Sequence, residues 1–157
     1  MKLSTRARYA LRMMVDIAKR PGVDPVTLRE IAENTEISKP YLDQVAVGLK
    51  TSVLIRSMRG RGGGYQLARP ADEISVRQII EAAIGPINVV DCVMRPEICD
   101  RSDCCECRWV YQQINDQITN LLNGMSLGEL AAKELGSPGR GELGGVAPGT
   151  GRPSTLE

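Results

Sequence analysis

The sequence predicts a mainly α-helical protein with one small β-hairpin, and two observations carry this fold class. Apolar residues recur at three- and four-residue spacing in most segments between residues 4 and 135, which is typical of amphipathic helices. Two short β-prone segments flank the glycine-rich stretch 60–64, which is typical of a hairpin. The order of these patterns predicts a winged helix-turn-helix followed by a long C-terminal dimerisation helix.

Three helices are predicted before the hairpin. The first begins at Ser4 or Thr5 and ends near residue 19. The pattern from Thr27 to Glu30 is a capping box, in which each side chain bonds the other residue's backbone amide, and it opens a short second helix. A third helix spans residues 38–50. Because only a tight turn separates the second and third helices, they predict a helix-turn-helix.

The hairpin is predicted to form the wing. Residues 53–55 predict its first strand, and Tyr65 and Leu67 belong to the second. A glycine-rich loop between them can approach a phosphate backbone closely, while its arginines neutralise phosphates or enter the minor groove. A nucleotide phosphate cradle is the alternative, but the expected lysine and following hydroxyl residue are missing. A turn with only a structural role is the other alternative.

The remaining segments predict a fourth helix opening at Ser75, a cysteine-rich segment and a long helix from about Cys107 to Asn123. We expect the fourth helix to pack on the first. The apolar stripe of the long helix predicts a two-fold dimer contact, with intramolecular core as the alternative. A capping box at Ser126 opens a last helix that continues to about Leu135.

Four regions follow from these patterns. They are a winged helix-turn-helix DNA-binding domain at 1–84, a cysteine-rich segment at 85–107, a dimerisation helix with the terminal helix at 108–135, and a disordered tail at 136–157. The tail holds seven glycines and three prolines and has too little apolar content to fold.

Charge divides the chain in the same way. Residues 1–70 hold 13 basic and 6 acidic side chains, whereas residues 71–157 hold 7 and 13. A basic first half predicts a module that binds a polyanion such as double-stranded DNA, unless the asymmetry only reflects solvated faces. The sequence has no apolar stretch long enough to span a membrane and no signal peptide pattern, so we expect a cytoplasmic protein without membrane contact.

All five cysteines lie within sixteen residues, and the chain has no histidine. They are Cys92, Cys99, Cys104, Cys105 and Cys107. Their polar surroundings predict exposed or ligating thiols rather than core residues, and a reducing compartment disfavours a disulfide framework. The spacing fits neither a typical zinc site nor a ferredoxin pattern. An iron-sulfur cluster, a zinc site and a thiol switch therefore all remain open.

Several stretches together resemble one known family. They are MKLSTRARYA (1–10), ISKPYLDQ (37–44), VLI (53–55), RGRGGGY (59–65) and MSLGEL (125–130). Residues 1 to about 135 thus resemble the iron-sulfur winged-helix transcriptional regulators of IscR, NsrR and RirA type, and most closely the IscR-like members. The resemblance implies a homodimeric repressor or activator, not an enzyme, whose affinity for an operator depends on the state of a bound cluster.

The resemblance also implies cluster ligands. The three cysteine ligands of the family fall on Cys92, Cys99 and Cys105. Arg108 stands where IscR proteins have a ligating histidine, and Arg8 stands where NsrR proteins have an aspartate, so neither can supply the fourth ligand. We expect Cys107 in that role and Cys104 next, with Asp103 and Glu106 also within the segment. A 2Fe-2S centre is expected, with 4Fe-4S as the alternative.

On the DNA side, the resemblance places base contacts at 40–44 in the third helix and at Arg59 in the wing. Asp43 replaces a frequent glutamate of the family, and its carboxylate can accept from cytosine amino groups. The complete set of expected DNA contacts is Lys39, Pro40, Tyr41, Asp43, Gln44, Lys50, Arg56, Arg59, Arg61, Gly62 and Gly63.

We therefore predict a dimeric, DNA-binding transcriptional regulator that senses iron-sulfur status, oxidant or nitric oxide. A cluster-free thiol-based or zinc-binding regulator of the same fold is the first alternative. A small electron carrier is a more remote one, for which the basic wing would have no use. The absence of histidine and of a nucleophile paired with a base argues against an enzyme.

Overall fold

The computed structural model describes residues 4–20 and 24–133. Within these ranges the chain is mostly helical with one two-stranded antiparallel sheet, so the predicted fold class is confirmed. The α-helices are α1 (Thr5–Ala18), α2 (Leu28–Thr35), α3 (Lys39–Thr51), α4 (Val76–Ile84), α5 (Asp91–Met94), α6 (Glu106–Asn123) and α7 (Leu127–Ala132). The strands are β1 (Ile55–Met58) and β2 (Gly64–Leu67), and two 3-10 turns lie at Ala71–Glu73 and Pro96–Ile98.

Helix α1 forms the centre of the core. Its residues Met13 and Met14 are fully buried, and it contacts α2, α3, α4, α7 and β2. The expected packing of the fourth helix on the first is confirmed by the α1–α4 contact. Burial of such side chains stabilises the fold by about 1.5–3 kcal/mol each. The apolar side of α1 therefore fixes the positions of the elements that it contacts.

The predicted helix-turn-helix is present, and its first helix begins at the predicted capping box. Thr27 accepts from the backbone amide of Glu30 through its hydroxyl at 3.2 Å, and the Glu30 carboxylate accepts from the Thr27 amide at 2.8 Å. These bonds satisfy amides that the first turn of α2 cannot pair internally. Glu36 ends α2 in the left-handed conformation with φ 56°, and α3 begins after Ser38.

The predicted start of the first strand is wrong. Residues 53 and 54 close the end of α3, and the strand begins at Ile55. The Val53 amide donates to the Lys50 carbonyl at 3.0 Å and the Leu54 amide donates to the Leu49 carbonyl at 2.9 Å. These two bonds form a Schellman motif, which satisfies the last carbonyls of the helix and requires a left-handed residue, here Val53 with φ 55°.

The α4 and α7 helices of the C-terminal half also begin at their predicted capping residues. Capping boxes at Ser75 and Ser126 open α4 and α7, as predicted. Helix α6 starts one residue earlier than expected, and α7 ends at Ala132 rather than near Leu135. The segment 85–105 contains α5 and a 3-10 turn and is therefore not a plain loop. The predicted tail at 136–157 lies outside the described residues.

Two hydrogen bonds join the starts of α4 and α7. The Val76 amide donates to the Met125 carbonyl at 2.9 Å, and the Leu127 amide donates to the Ile74 carbonyl at 2.8 Å. Leu127 is fully buried in the core formed with α1. The chain therefore returns to the helix-turn-helix domain after α6. None of the helices in the described ranges is long and apolar enough to cross a membrane.

Candidate nucleic-acid interface and cysteine segment

Helix α3 has a buried side and an exposed side. The buried side carries Leu42, Val45, Ala46 and Leu49. Of the predicted contact residues on α3, five are exposed to solvent: Lys39, Pro40, Asp43, Gln44 and Lys50. Because the apolar side holds the helix against the core, the polar side can enter a groove without disturbing the fold.

Two contacts with α1 fix the orientation of α3. Tyr41 is half-buried, and its ring meets that of Tyr9 edge-on, with centroids 4.9 Å apart and planes at 77°. The Arg6 guanidinium donates from Nη2 to the main-chain carbonyl of Gln44 at 3.3 Å. The sequence patterns did not single out Arg6, since a carbonyl partner leaves no mark in the sequence. Its basic side chain lies next to the exposed side of α3.

The wing is held by backbone geometry. Gly60 and Gly62 have φ of 104° and 81°, a region that side chains with a Cβ rarely adopt. The Gly63 amide donates to the Gly60 carbonyl at 2.9 Å, and a Cβ at Gly63 would collide with the Met58 carbonyl. Gly62 is exposed, whereas Gly63 is half-buried. The loop therefore holds a tight shape that presents Arg59 and Arg61 to solvent.

The base of the wing is tied to the helix-turn-helix. Val26 and Tyr65 exchange backbone hydrogen bonds of 2.8 and 2.7 Å, so that the residue before α2 pairs with β2. Arg56 pairs with Gln66 across the hairpin. Both line a cavity of about 410 Å³ between β2 and the end of α1. Arg56 thus lies at the base of the wing, away from the glycine loop.

The structure places the five cysteines along one segment. Cys92 lies on α5, Cys99 follows the second 3-10 turn, Cys104 lies in the next turn, Cys105 immediately precedes α6 and Cys107 is in the first turn of α6. Cys92, Cys99 and Cys105 are half-buried, while Cys104 and Cys107 are exposed. Helix α5 contacts both the 3-10 turn and α6, which brings the carriers of these thiols together.

Arg108 links the two ends of this segment. Its Nε donates to the main-chain carbonyl of Cys92 at 3.1 Å, across sixteen positions of sequence. The bond is partly buried, so water competes less for it. The resemblance to IscR proteins excludes Arg108 as a cluster ligand but does not indicate this hydrogen bond. Its position in the first turns of α6 lets it hold α5 against that helix.

The donor set suits an iron-sulfur cluster in its chemistry, because all five thiols are free and soft thiolates bind iron. Within residues 4–20 and 24–133, however, no three Cys, Asp or Glu side chains converge as metal ligands would. The thiols are therefore in the same segment but not assembled in one site.

Helix α6 buries none of its residues fully. Its Leu122 packs against the small cluster formed by Ala7, Val76 and Ile80, which attaches α6 to α4. Along a different side, Val110, Ile114 and Leu121 are 46%, 42% and 61% exposed. A stripe of this kind on a long helix is typical of an interface with another chain.

Comparison with known proteins gives consistent matches. The family Rrf2, described as iron-dependent transcriptional regulator, matches residues 3–133. The chain is 37% identical over 130 residues to the HTH-type transcriptional regulator IscR of Pectobacterium atrosepticum, covering 83% of this chain and 79% of that protein.

Solved structures agree. CymR of B. subtilis, described as its global cysteine regulator, matches with a TM-score of 0.69 and 33% identity, over 83% of this chain and 96% of CymR. IscR of T. potens matches with a TM-score of 0.68 and 30% identity, over 83% of this chain and 85% of that one. These relatives are regulators and not enzymes, which confirms that part of the prediction.

Proposed function

Because this chain belongs to the Rrf2 family of transcriptional regulators, we propose that it is a homodimer that couples an iron-sulfur cluster to operator binding. The protein is a DNA-binding transcriptional regulator similar to IscR. We also propose the homodimeric state, the bound cluster and the identity of the residues that contact DNA. Its place of action is the cytoplasm, where bacterial DNA is found.

The reading surface in this proposal consists of the exposed face of α3 and the wing. Asp43 and Gln44 contact base edges, and Arg59 enters the minor groove beside them. Lys39, Lys50 and Arg61 contact phosphates, which sets register without reading sequence. The support is their common exposure next to the fixed frame of α1, since Arg6 and Tyr9 hold α3 in place. Arg56, at the base of the wing, is a further phosphate contact in this proposal.

The dimer contact in this proposal is the exposed stripe of α6. A two-fold axis along Val110, Ile114 and Leu121 would cover three large apolar side chains that water now reaches. It would also present two copies of α3 to a palindromic site, and two linked modules bind far more tightly than one.

The sensor in this proposal is the segment 85–107, with Cys92, Cys99, Cys105 and Cys107 as the holders of the cluster. The cluster, when bound, supplies a centre that reacts with oxidant or nitric oxide. The observation that carries this assignment is that all five free thiols of the chain lie in one segment, which ends in the first turn of α6. The lack of histidine makes an all-thiolate site the natural choice, and added negative charge lowers its reduction potential.

The segment lies between the two functional surfaces. It follows α4, which packs on α1 and α3, and it precedes α6, which contacts α4 and α5. A change in its order therefore shifts α6 relative to the helix-turn-helix, and hence the spacing of the two reading surfaces in a dimer. Within the predicted region 108–135, α6 is the dimerisation helix of this proposal, whereas α7 packs on α1 and belongs with the reading domain at 1–84.

Anaerobic purification tests the proposal. We expect a brown protein with visible charge-transfer bands and about two iron and two sulfide per protomer for 2Fe-2S, or about four of each for 4Fe-4S. The triple variant Cys92→Ala, Cys99→Ala, Cys105→Ala should lose the colour. Cys104→Ala serves as the matched control and should keep it, whereas Cys107→Ala should alter the spectrum. A colourless, iron-free wild-type protein would contradict the cluster.

DNA binding is tested separately with a duplex selected from a random pool. Affinity should fall with salt concentration, because phosphate contacts release counterions. Holo and apo dimers should differ in affinity for the selected duplex. Equal affinity of the two forms would refute the sensing mechanism but not the DNA-binding function.

Exposed Cys104 and Cys107 favour one second candidate, a cluster-free thiol regulator. In that case, oxidation of iron-free protein forms a disulfide within the segment and changes DNA affinity without any metal. Mass spectrometry of the oxidised protein, with the double variant Cys104→Ala, Cys107→Ala as control, separates this candidate from the first.

A further inference from the structure

The exposed face of α3 carries the apolar side chain of Val47 among mostly polar ones. Val47 is 60% exposed, although valine is among the residues most often buried. Successive residues of a helix are about 100° apart. Val47 therefore lies opposite the buried side of α3, within the arc bounded by Asp43 and Gln44 and one turn further along the helix.

The polar side chain of Thr51, one turn beyond Val47, already has a partner inside the helix. The Thr51 hydroxyl, one turn beyond, donates to the Val47 carbonyl at 2.9 Å, so its proton is already used inside the helix. A β-branched side chain in a helix has one strongly preferred rotamer. The two γ-methyl groups of Val47 are therefore held in a fixed direction, and they can offer only apolar contact to a docked ligand.

Flanking charges align a duplex with this position. Lys39 and Lys50, near the two ends of α3, are both exposed and suited to phosphate contacts. A duplex held by both would bring base edges in the major groove against the residues between them. In that groove the thymine 5-methyl is the apolar group that distinguishes bases.

We propose that Val47 reads a thymine in the operator by contact between its γ-methyl groups and the 5-methyl of the base. This inference rests on the proposed DNA interface and adds a residue to it that determines sequence preference. The polar residues of the face specify hydrogen-bonding edges, and Val47 specifies a methyl group next to them.

The test removes the methyl group from each side of the contact in turn. Duplexes selected from a random pool by the wild-type dimer are resynthesised with deoxyuridine in place of each thymine singly. Deoxyuridine pairs like thymine but lacks the 5-methyl. Wild type should lose about fourfold in affinity at one thymine per half-site, the value expected for one buried methyl group. Val47→Ala should be insensitive to that same replacement, since the two losses are not additive for a direct contact.

Val53→Ala is the matched control, because Val53 is also exposed, at 68%, but lies outside α3. It should keep the wild-type response to deoxyuridine. Equal responses of wild type and Val47→Ala at every thymine, or a selected site without thymine, would overturn the inference and leave the DNA-binding function intact. Failure of the wild type to select any duplex would refute the proposed interface and the inference together.

Discussion

Val53 shows how a single residue can oppose the conformation that its position requires. The Schellman motif at the end of α3 needs a left-handed residue, and Val53 occupies that place with φ 55°. A β-branched side chain is a genuine outlier there, because its Cβ crowds the following carbonyl. The strain persists since Leu54, next in sequence, is anchored in the core.

Replacing Val53 by glycine should therefore stabilise the protein. Relief of the left-handed strain is worth roughly 1–2 kcal/mol, and the extra flexibility of glycine in the unfolded chain offsets roughly half of it. We expect the free energy of unfolding in urea to rise by about 0.5–1 kcal/mol. Val53→Ala, which keeps a Cβ, should gain less. A Val53→Gly protein less stable than wild type would contradict this explanation.

The hydrogen bond of Arg108 to the Cys92 carbonyl indicates that Arg108 holds α5 against α6. Removal of its bond to the Cys92 carbonyl should free α5 from α6. In metal-free protein, alkylation of Cys92 should become about fivefold faster in Arg108→Ala, as expected for loss of one such hydrogen bond. Alkylation of the exposed Cys104 in the same sample provides the internal control. An unchanged ratio of the two rates would show that the bond does not hold the segment closed.

At the scale of elements, α2 depends on a charge in its capping box. Hydrogen bonds from the Thr27 amide, and then from its hydroxyl, lower the pKa of Glu30 below its usual value, and Arg20 adds to this effect. Because the folded-state pKa is lowered, this contribution to stability is full above the usual glutamate pKa. It is lost as pH falls through the lowered value.

Glu30→Gln separates the charge from the hydrogen bonds. Glutamine also completes a capping box but does not titrate. Wild type should therefore be the more stable protein at neutral pH, and the difference should vanish in acid, as measured by urea midpoints across pH. A difference that stays constant from neutral to acidic pH would assign the effect to packing instead.

The hairpin depends on a close approach of two backbones. A Cβ at Gly64 would collide with the Val26 carbonyl, which takes part in the bridge to Tyr65. Gly64→Ala should lower stability by about 1–3 kcal/mol and weaken DNA binding, because the wing would separate from α2. Gly124→Ala, at a position with only ordinary contacts, should change stability by less than about 0.5 kcal/mol.

The elements also show what a sequence can predict. The helices follow from periodicity and from capping boxes at Thr27, Ser75 and Ser126, because these signals are local. The first strand was misplaced because Val-Leu-Ile is β-prone, whereas the fold uses Val53 and Leu54 to close a helix. The Arg108 contact was not predictable, since any backbone carbonyl sixteen residues away could have been its acceptor. Clustering of the cysteines was clear from sequence, but their arrangement depends on long-range contacts.

At the scale of the whole molecule, the exposed stripe of α6 predicts the oligomeric state. Ile114→Glu would place a charge in the centre of the proposed dimer contact, where burial without a partner is costly. Light scattering should detect monomers, and affinity for a palindromic duplex should fall by more than tenfold. Gln112→Glu, on another side of α6, should remain dimeric. A dimeric Ile114→Glu protein would place the contact elsewhere.

The paired bonds between the starts of α4 and α7 have a consequence for how this chain can evolve. The chain leaves the core after α4, near residue 85, and returns to it at Leu127, where the start of α7 is bonded to the start of α4. The segment that carries the cysteines is thus held between two fixed points of the core, like a domain inserted into a host. Cysteine number and spacing between 85 and 107 can therefore vary with the chemistry that the proposed sensor detects, while the core that carries α3 and the wing stays the same.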